Sequence, residues 1–452
     1  MTKLVVVGMG YVGIPAAALF ADVDGFEVVG IQRRSQRSGW KIDWLNAGKN
    51  PIGGDEPGLS ELIARVVDKK TFRVTDDFAE CKDADIILID VQTPTDDQGI
   101  PRYESLKEAS AQVGRNLKRD ALVVIESTVA PGTTEHVVKP ILERESGMTA
   151  GKDFSLAFSY ERVMVGRLLH NITQYPRIIG GIDAESTRRA MALYAKIIKA
   201  GLHPTDLLTA EVAKVVENTY RDVNIAFANE MALLCESLGV DVYKVRELVN
   251  NLPNDPSNPS ANPIRNMHFP GAGVGGHCLP KDTWLLKYGV DTYGRFRVDP
   301  QVMVKSRELN AWMPTHMAEL VEEGLKEAGV KMEGAKISIL GVAFLENSDD
   351  TRNTPSKTLY EILQAKGAQP VLHDPYVREF ELPFTKDLEE AIMGADAMVI
   401  VVKHKDYLNL DFARIKEKLR TPMIVDGRNA YDKAECERLG FVYKGVGKPR
   451  GK

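Results

Sequence analysis

Cysteine is scarce. Cys81, Cys235, Cys278 and Cys436 are the only four, far apart and with no CxxC pair. That spacing argues against a disulfide framework and for free thiols in a reducing, cytoplasmic compartment. Long apolar runs are missing as well: no stretch approaches the ~18–20 apolar residues of a membrane span. The segment Leu4 to Gly8, following Met1-Thr2-Lys3, is too short for the apolar region of a signal peptide. Excess positive charge is also lacking. A formal net charge of -5 provides no basic face, so nucleic acid is not an expected partner. None of the eight histidines has a Cys or His partner at metal-ligand spacing, and no metal is expected. Short-period repeats and low-complexity tracts are absent too.

What is present is a soluble, globular composition, 44% hydrophobic and 27% charged. At 452 residues the chain exceeds one typical core and calls for two or three domains. Short apolar runs alternate with helical patterns over the first two hundred residues, which implies a parallel sheet with crossover helices. The strand candidates are Lys3–Val7, Glu27–Ile31, Ile86–Val91, Leu122–Ser127, Ser155–Phe158 and Arg177–Gly180. From Thr209 to Leu238 apolar residues recur in steps of three and four without Gly or Pro. This predicts one long amphipathic helix, with Thr209 as its N-cap and Gly239 as its stop. A Pro/Asn-rich segment (Asn250 to Pro263), a Gly-rich loop (Gly271 to Gly276) and further helix to about Glu327 follow. A second alternating set then begins: Lys336–Leu340, Pro370–His373, Ala397–Val402 and Met423–Val425. The expected architecture is α/β: two Rossmann-like, doubly wound parallel-sheet domains joined by a central helical domain. Its boundaries are drawn at 1–204, 205–325 and 326–452.

Gly8-Met9-Gly10-Tyr11-Val12-Gly13 follows a strand and opens a helix pattern. In a dinucleotide fold Gly8 allows the tight turn, Gly10 lets backbone approach a pyrophosphate, and Gly13 permits close helix–strand packing. An acidic residue is expected to end the second strand, to bind the ribose hydroxyls. Here the strand runs into Gln32-Arg33-Arg34. Gln32 can bond a hydroxyl, and Arg33 or Arg34 can pair with a 2′-phosphate unless both point to solvent. NAD is the favoured cofactor and NADP the alternative. The second constellation is Gly275-Gly276-His277-Cys278-Leu279-Pro280-Lys281-Asp282. A lone cysteine in such a loop suits a nucleophile, because glycines admit a substrate and nearby cations favour the thiolate. Taken alone, the same cysteine would more often be an inert core thiol.

These motifs resemble the UDP-glucose/GDP-mannose dehydrogenase family, and the likeness covers nearly the whole chain. Its other matching stretches are Gln92-Thr93-Pro94-Thr95, Glu126 to Thr134, Glu161-Arg162-Val163, Arg177 to Gly181, Glu211 to Lys214 and Asn218 to Glu230. Leu340 to Phe344, leading to Asp350-Thr351-Arg352, completes the set. The resemblance implies an NAD-dependent four-electron oxidation of a UDP-sugar C6 alcohol through a thiohemiacetal and thioester on Cys278. By position, Lys214 and Asn218 stabilise the reacting oxygen, and Glu161 is the base for thioester hydrolysis. Thr128 and Asp282 order water. Tyr11, Val12, Thr93, Pro94, Thr95, Ser127 and Thr128 join the glycines, Gln32 and Arg33 around the cofactor. Glu161, Arg162, Lys214, Asn218, Gly275, Gly276, Arg352 and Arg265 (the last from across a dimer interface) face the substrate. Without the family, Lys214 and Asn218 read as a solvated helix face, and Glu161 as a surface carboxylate.

Two departures bear on substrate choice. Tyr160 stands where the family usually has proline, and Leu345 where it typically has lysine. The loop Pro270 to Cys278 looks like the branch that oxidises UDP-N-acetylhexosamines (mannosamine, glucosamine or galactosamine forms). The alternatives are a UDP-glucose 6-dehydrogenase, a two-electron dehydrogenase of the 6-phosphogluconate or hydroxyacid type, and a non-catalytic nucleotide-sugar-binding protein. A homodimer built on the long helix is expected, because its apolar face exceeds what one chain covers.

Overall fold

The computed structural model describes residues 1–36, 38–54, 56–96, 98–251 and 266–450. They form two compact units, 1–217 with 281–299, and 218–280 with 300–452.

The first unit holds an eight-stranded sheet of β1 (Thr2–Val7), β2 (Phe26–Ile31), β3 (Phe72–Thr75), β4 (Ile86–Ile89), β5 (Leu122–Ile125), β6 (Ser155–Phe158), β7 (Arg177–Gly181) and β8 (Leu202–Asp206). Their spatial order is β3-β2-β1-β4-β5-β6-β7-β8. Pairing is parallel except between β6 and β7, where Ala157 faces Gly181. Alternation along each strand feeds two cores. Leu4 and Val6 join Ile14, Ala17 and Phe20 on one face, while Val5 and Val7 join Val29, Ile87 and Ile125 on the other. The strand order reverses between β1 and β4, so the ligand crevice of such a sheet lies past their C-terminal ends.

The second unit repeats the plan with β9 (Lys336–Leu340), β10 (Gln369–His373), β11 (Phe384–Thr385), β12 (Ala397–Ile400), β13 (Met423–Asp426) and β14 (Val442–Gly445). The order is β11-β10-β9-β12-β13-β14, all parallel, with the switch point between β9 and β12. Ile337, Ile339 and Val399 face one core and Met398 and Ile400 the other.

The expected strands are present within a few residues. β3, β8, β11 and β14 add edges that the sequence pattern does not announce. The long helix runs Leu207–Leu238, 32 residues or roughly 48 Å. Its start differs from expectation: Thr209 lies inside, and Asp206 is the cap, accepting from Thr209 N at 2.8 Å and Thr209 Oγ1 at 2.7 Å. A carboxylate three residues earlier outcompetes the hydroxyl for the free N–H groups. Gly239 (φ +71°) ends the helix, as expected.

Glu211, in the second turn of this helix, reaches a second helix start. Its carboxyl accepts from Gly132 N at 2.6 Å and Thr134 N at 2.8 Å, where the helical segment Thr134–Val138 begins. The side chain is buried, and desolvation pushes its pKa up to about 7. A carboxyl raised above its ordinary value of 4.5 binds its proton more tightly when folded. The stability it confers is therefore complete below pH 4.5 and is lost as pH rises through 7. Urea unfolding at pH 5 and pH 8 should show this group costing about 2–3 kcal/mol over the interval. Glu211→Gln should flatten the profile by that amount, and an unchanged pH slope in the variant would refute the assignment.

Candidate active site

In the first unit the glycine turn is built by close backbone approaches. Gly8 has φ +111°, and a Cβ there would sit 2.0 Å from Asp90 O. A Cβ on Gly13 would meet Gly8 O at 1.9 Å. Gly10 is different: nothing lies within 4 Å of its absent side chain. Protein packing therefore demands glycine at positions 8 and 13 and leaves open space at 10. That space fits a pyrophosphate approaching the helix Gly13–Ala21, with the part-exposed Tyr11 and Val12 beside it.

Gln32 turns back into the protein. Its Oε1 accepts from Met9 N at 3.2 Å, and its Nε2 donates to Ser38 Oγ at 3.0 Å and Arg33 O at 3.3 Å. Arg33 is exposed, 3.9 Å from Glu108, and Arg34 bonds Asp76 at 3.3 Å. Thr93 and Ser127 tie strand ends together. Thr93 Oγ1 donates to Thr128 O at 2.5 Å, and Ser127 Oγ both accepts from Val91 N (2.9 Å) and donates to Val91 O (2.7 Å). Pro94 O accepts from Arg102 N at 2.8 Å, and Thr95 bridges to Pro101.

Beyond β6, Lys214 and Glu161 come together. Lys214 Nζ donates to Glu161 O at 2.8 Å and stands 3.6 Å from Glu161 Oε1. Both side chains are largely buried, so neither belongs to a solvated surface. Tyr160 is buried, with the Lys214 ammonium 5.1 Å from its ring centroid. An aromatic face there favours a desolvated cation, so this departure from the family pattern supports the lysine. Arg162 bonds Glu217 at 2.9 Å and Pro176 O at 2.7 Å, which orients the segment. Asp282 is fully buried and accepts from Lys281 Nζ at 2.7 Å, in the helix Leu279–Tyr293. Lys281, the lysine of the cysteine motif, is buried, a placement that the sequence pattern does not announce.

The second unit contains Asn218, the next turn of the long helix after Lys214, and the cysteine loop. A Cβ on Gly275 would lie 2.6 Å from Phe344 Cβ, and one on Gly276 (φ +87°) 2.8 Å from Phe344 Cε2. These glycines thus admit the Phe344 segment, a packing demand in addition to the substrate approach expected of them. Gly276 N donates to Arg352 O at 2.8 Å, and Asn353 Nδ2 donates to Gly276 O at 3.0 Å. Cys278 is half-buried and directly precedes a 15-residue helix. The other three thiols are buried, which pushes Cys81 and Cys436 up to about 12 and raises Cys235.

Arg352 is held by Asp350, its Nε 2.8 Å from Oδ1, with the guanidinium part-exposed. Arg428, two residues past β13, is a further cation that sequence reasoning misses. Its Nη1 lies 3.0 Å from where a Gly271 Cβ would be, and its Nη2 3.4 Å from Glu346 Oε1, next to Leu345. The signal that could have found it is an arginine just past the C-terminal end of a central parallel strand. Arg265 lies outside the described residues. Among the described residues, no helix is long and apolar enough to cross a membrane.

Three family models match in sequence. The UDP-glucose/GDP-mannose dehydrogenase family's NAD binding domain covers residues 2–198, its central domain 208–312 and its UDP binding domain 338–433. The chain is 37% identical over 448 residues to a UDP-N-acetyl-D-mannosamine dehydrogenase of Pyrococcus horikoshii, covering 99% of both chains. Its fold matches an NDP-N-acetyl-D-galactosaminuronic acid dehydrogenase of Methanosarcina mazei Go1 with a TM-score of 0.86 at 44% identity, over 99% of this chain and 96% of that one. A UDP-glucose dehydrogenase of Pyrobaculum islandicum matches with a TM-score of 0.83 at 28% identity, over 99% and 98%. Three models in family order, and relatives aligned end to end, establish that the chain belongs to the UDP-glucose/GDP-mannose dehydrogenase family.

Proposed function

We propose that the chain is a UDP-N-acetylhexosamine 6-dehydrogenase that oxidises the sugar C6 alcohol to a carboxylate through Cys278. The observation that carries this reading is the cysteine itself. It is the one described thiol left half-exposed, on a glycine loop fastened to the Phe344–Arg352 segment and at the start of a helix. The relatives named for N-acetylated sugars at 37% and 44% identity, against 28% for the UDP-glucose enzyme, favour the N-acetylhexosamine.

Residues 1–204 serve the cofactor, 205–325 the central helices and 326–452 the UDP. Bound nicotinamide cofactor accepts the hydride in both oxidations; the remaining roles belong to side chains. Loss of a hydride from C6, and of the hydroxyl proton to water, gives an aldehyde. The Cys278 thiolate adds to it, and the thiohemiacetal loses a second hydride to become a thioester. Lys214 and Asn218 stabilise negative charge on the C6 oxygen. Glu161 draws a proton from the water that hydrolyses the thioester, releasing the carboxylate and regenerating the thiol. Asp282, locked by Lys281, and Thr128 order that water. Arg352 and Arg428 bind the diphosphate, the latter offsetting the missing lysine at Leu345. The protein works in the cytoplasm. It uses NAD, with NADP the alternative because no carboxylate stands at position 32 and Arg33 is exposed.

With a panel of UDP-sugars and each cofactor, a UDP-N-acetylhexosamine should yield two reduced cofactors per sugar. Cys278→Ser should cut acid formation by at least about 10³-fold while sugar-nucleotide affinity is kept. One reduced cofactor per sugar, or an unimpaired serine variant, rules out the thioester route; activity on UDP-glucose alone overturns the substrate.

The functional unit is a homodimer. Tyr220, Phe227, Leu234 and Leu238 are each at least half exposed. At 100° per residue they fall within about 40° of one another along the long helix. A continuous apolar stripe of this kind fits its own symmetry mate. Phe227→Glu should shift the sedimenting species from dimer to monomer at micromolar concentration. A wild-type monomer would reject the dimer outright.

A further inference from the structure

The long helix and the helix Gln301–Glu327 share a buried polar chain that none of the roles above uses. Asp222 and Asn229 stand two turns apart on the first, Arg307 and Asn310 one turn apart on the second. Asp222, Asn229 and Asn310 have no exposed surface, and Arg307 very little. Around them lie Ala228, Ala232, Met313, Met317 and Ala272, so each polar group depends on its protein partners.

The chain has a direction. Gly271 N–H can only donate, and it does so to Asn229 Oδ1 at 2.9 Å. Asn229 must therefore present its Nδ2 to Asn310 Oδ1, at 2.8 Å. That in turn aims Asn310 Nδ2 at Asp222, which accepts on its backbone O (2.8 Å) and Oδ1 (2.9 Å). Arg307 Nη1 fixes the far end, donating to the same Oδ1 at 2.7 Å. A donor at one end and a neutralised carboxylate at the other leave one orientation for both amides.

The near end is functionally loaded. Gly271 opens the run to Cys278, in which Gly271, Gly273, Gly275 and Gly276 give the backbone little preference of its own. Bonds from outside must hold it. Gly276 is fastened by Arg352 O and Asn353, and Gly271 by Asn229. We infer that Asn229, oriented by Asn310, Asp222 and Arg307, is a positioning residue that sets where the Cys278 sulfur meets the aldehyde.

This inference rests on the proposed thioester chemistry and has its own signature. The first oxidation needs no sulfur; the second needs the thiolate within bonding reach of C6. Displacement by about 1 Å can cost on the order of 10²-fold in such a step. A misplaced loop therefore releases aldehyde, whereas general loss of folded protein lowers both oxidations together.

The test uses the full-length enzyme with UDP-N-acetylhexosamine and NAD+, hydroxylamine trapping free aldehyde. Asn229→Asp keeps the shape but turns the donor facing Asn310 into an acceptor. It should raise trapped aldehyde about tenfold or more over wild type, and pull reduced cofactor per sugar from two toward one. KM for NAD+ should stay within about twofold, and alkylation of Cys278 by iodoacetamide should change rate. Asn310→Asp puts the same fault one link from the loop and should leak aldehyde too, to a smaller extent. A stoichiometry of two with both oxidations equally slowed makes Asn229 merely structural and overturns the inference. Leakage from Asn229→Asp but none from folded Asn310→Asp removes the relay. If Asn229→Asp does not fold, the Asn310→Asp stoichiometry decides alone. A wild type that oxidises no UDP-sugar fails at the proposed function, before either variant is compared.

Discussion

The bond from Gly276 N to Arg352 O, 2.8 Å long, is the constraint on which the cysteine end of the molecule depends. It joins the loop before the nucleophile to the segment that leaves β9, and it forms only because no side chain intervenes. Phe344 fills the places where Cβ atoms of Gly275 and Gly276 would be. Phe344 is itself set by its N–H to Asp350 O at 2.9 Å, and Asp350 holds Arg352. Further back, Asp374 Oδ2 accepts from Val342 N and Ala343 N and bonds His404 at 3.1 Å, while His404 Nδ1 accepts from Asn347 N at 2.8 Å. A thiol and an arginine far apart in sequence thus share one scaffold. Moving either end drags the other.

The first unit meets the opposite difficulty, burying charge beside the cofactor turn. Arg177 bonds Glu126 deep in the core, and Tyr194 OH donates to the same Glu126 Oε1 at 2.7 Å. Asp90 lies against this cluster, and burial, with Glu126 and Glu161 near, drives its carboxyl well above the usual range. Removing one partner from such a group leaves an uncompensated charge, which costs more than the pair contributes. Lys214 and Lys281 are handled the same way, each given a carbonyl, carboxylate or ring before any ligand arrives. Partners of this kind offset part of the cost of burying each ammonium.

How much of this was legible in sequence follows from which interactions are local. Central strands such as Leu4–Val7 and Leu122–Ile125 are buried on both faces, so their unbroken apolar runs announce them. β8 reads Leu-His-Pro-Thr-Asp and β3 Phe-Arg-Val-Thr; as sheet edges they need little apolar content, and composition hides them. Gly8 and Gly13 were legible because a positive φ at the first and the close approach of Gly8 O to the second are local demands. The reason for Gly275 and Gly276 was not, since Phe344 lies about seventy residues away. Arg428 and the Asn229 chain were invisible for the same cause: each acquires its partners only through tertiary contact.

Tyr160 and Leu345, which depart from the family pattern, and Gln32, which departs from the dinucleotide-fold pattern, show the same economy of roles over residues. Tyr160 supplies a ring face to Lys214 where a proline would offer only shape. Gln32 lacks the acidic charge, yet its amide holds Met9 N and so steadies the very turn the cofactor approaches. Leu345 removes a cation, while Arg428 sets a guanidinium beside Glu346 and the start of the cysteine loop. A cation on a different strand end reaches its ligand along a different line, and its planar fork suits two oxygens where an ammonium suits one. The second unit therefore keeps positive charge beside Leu345 but changes its geometry.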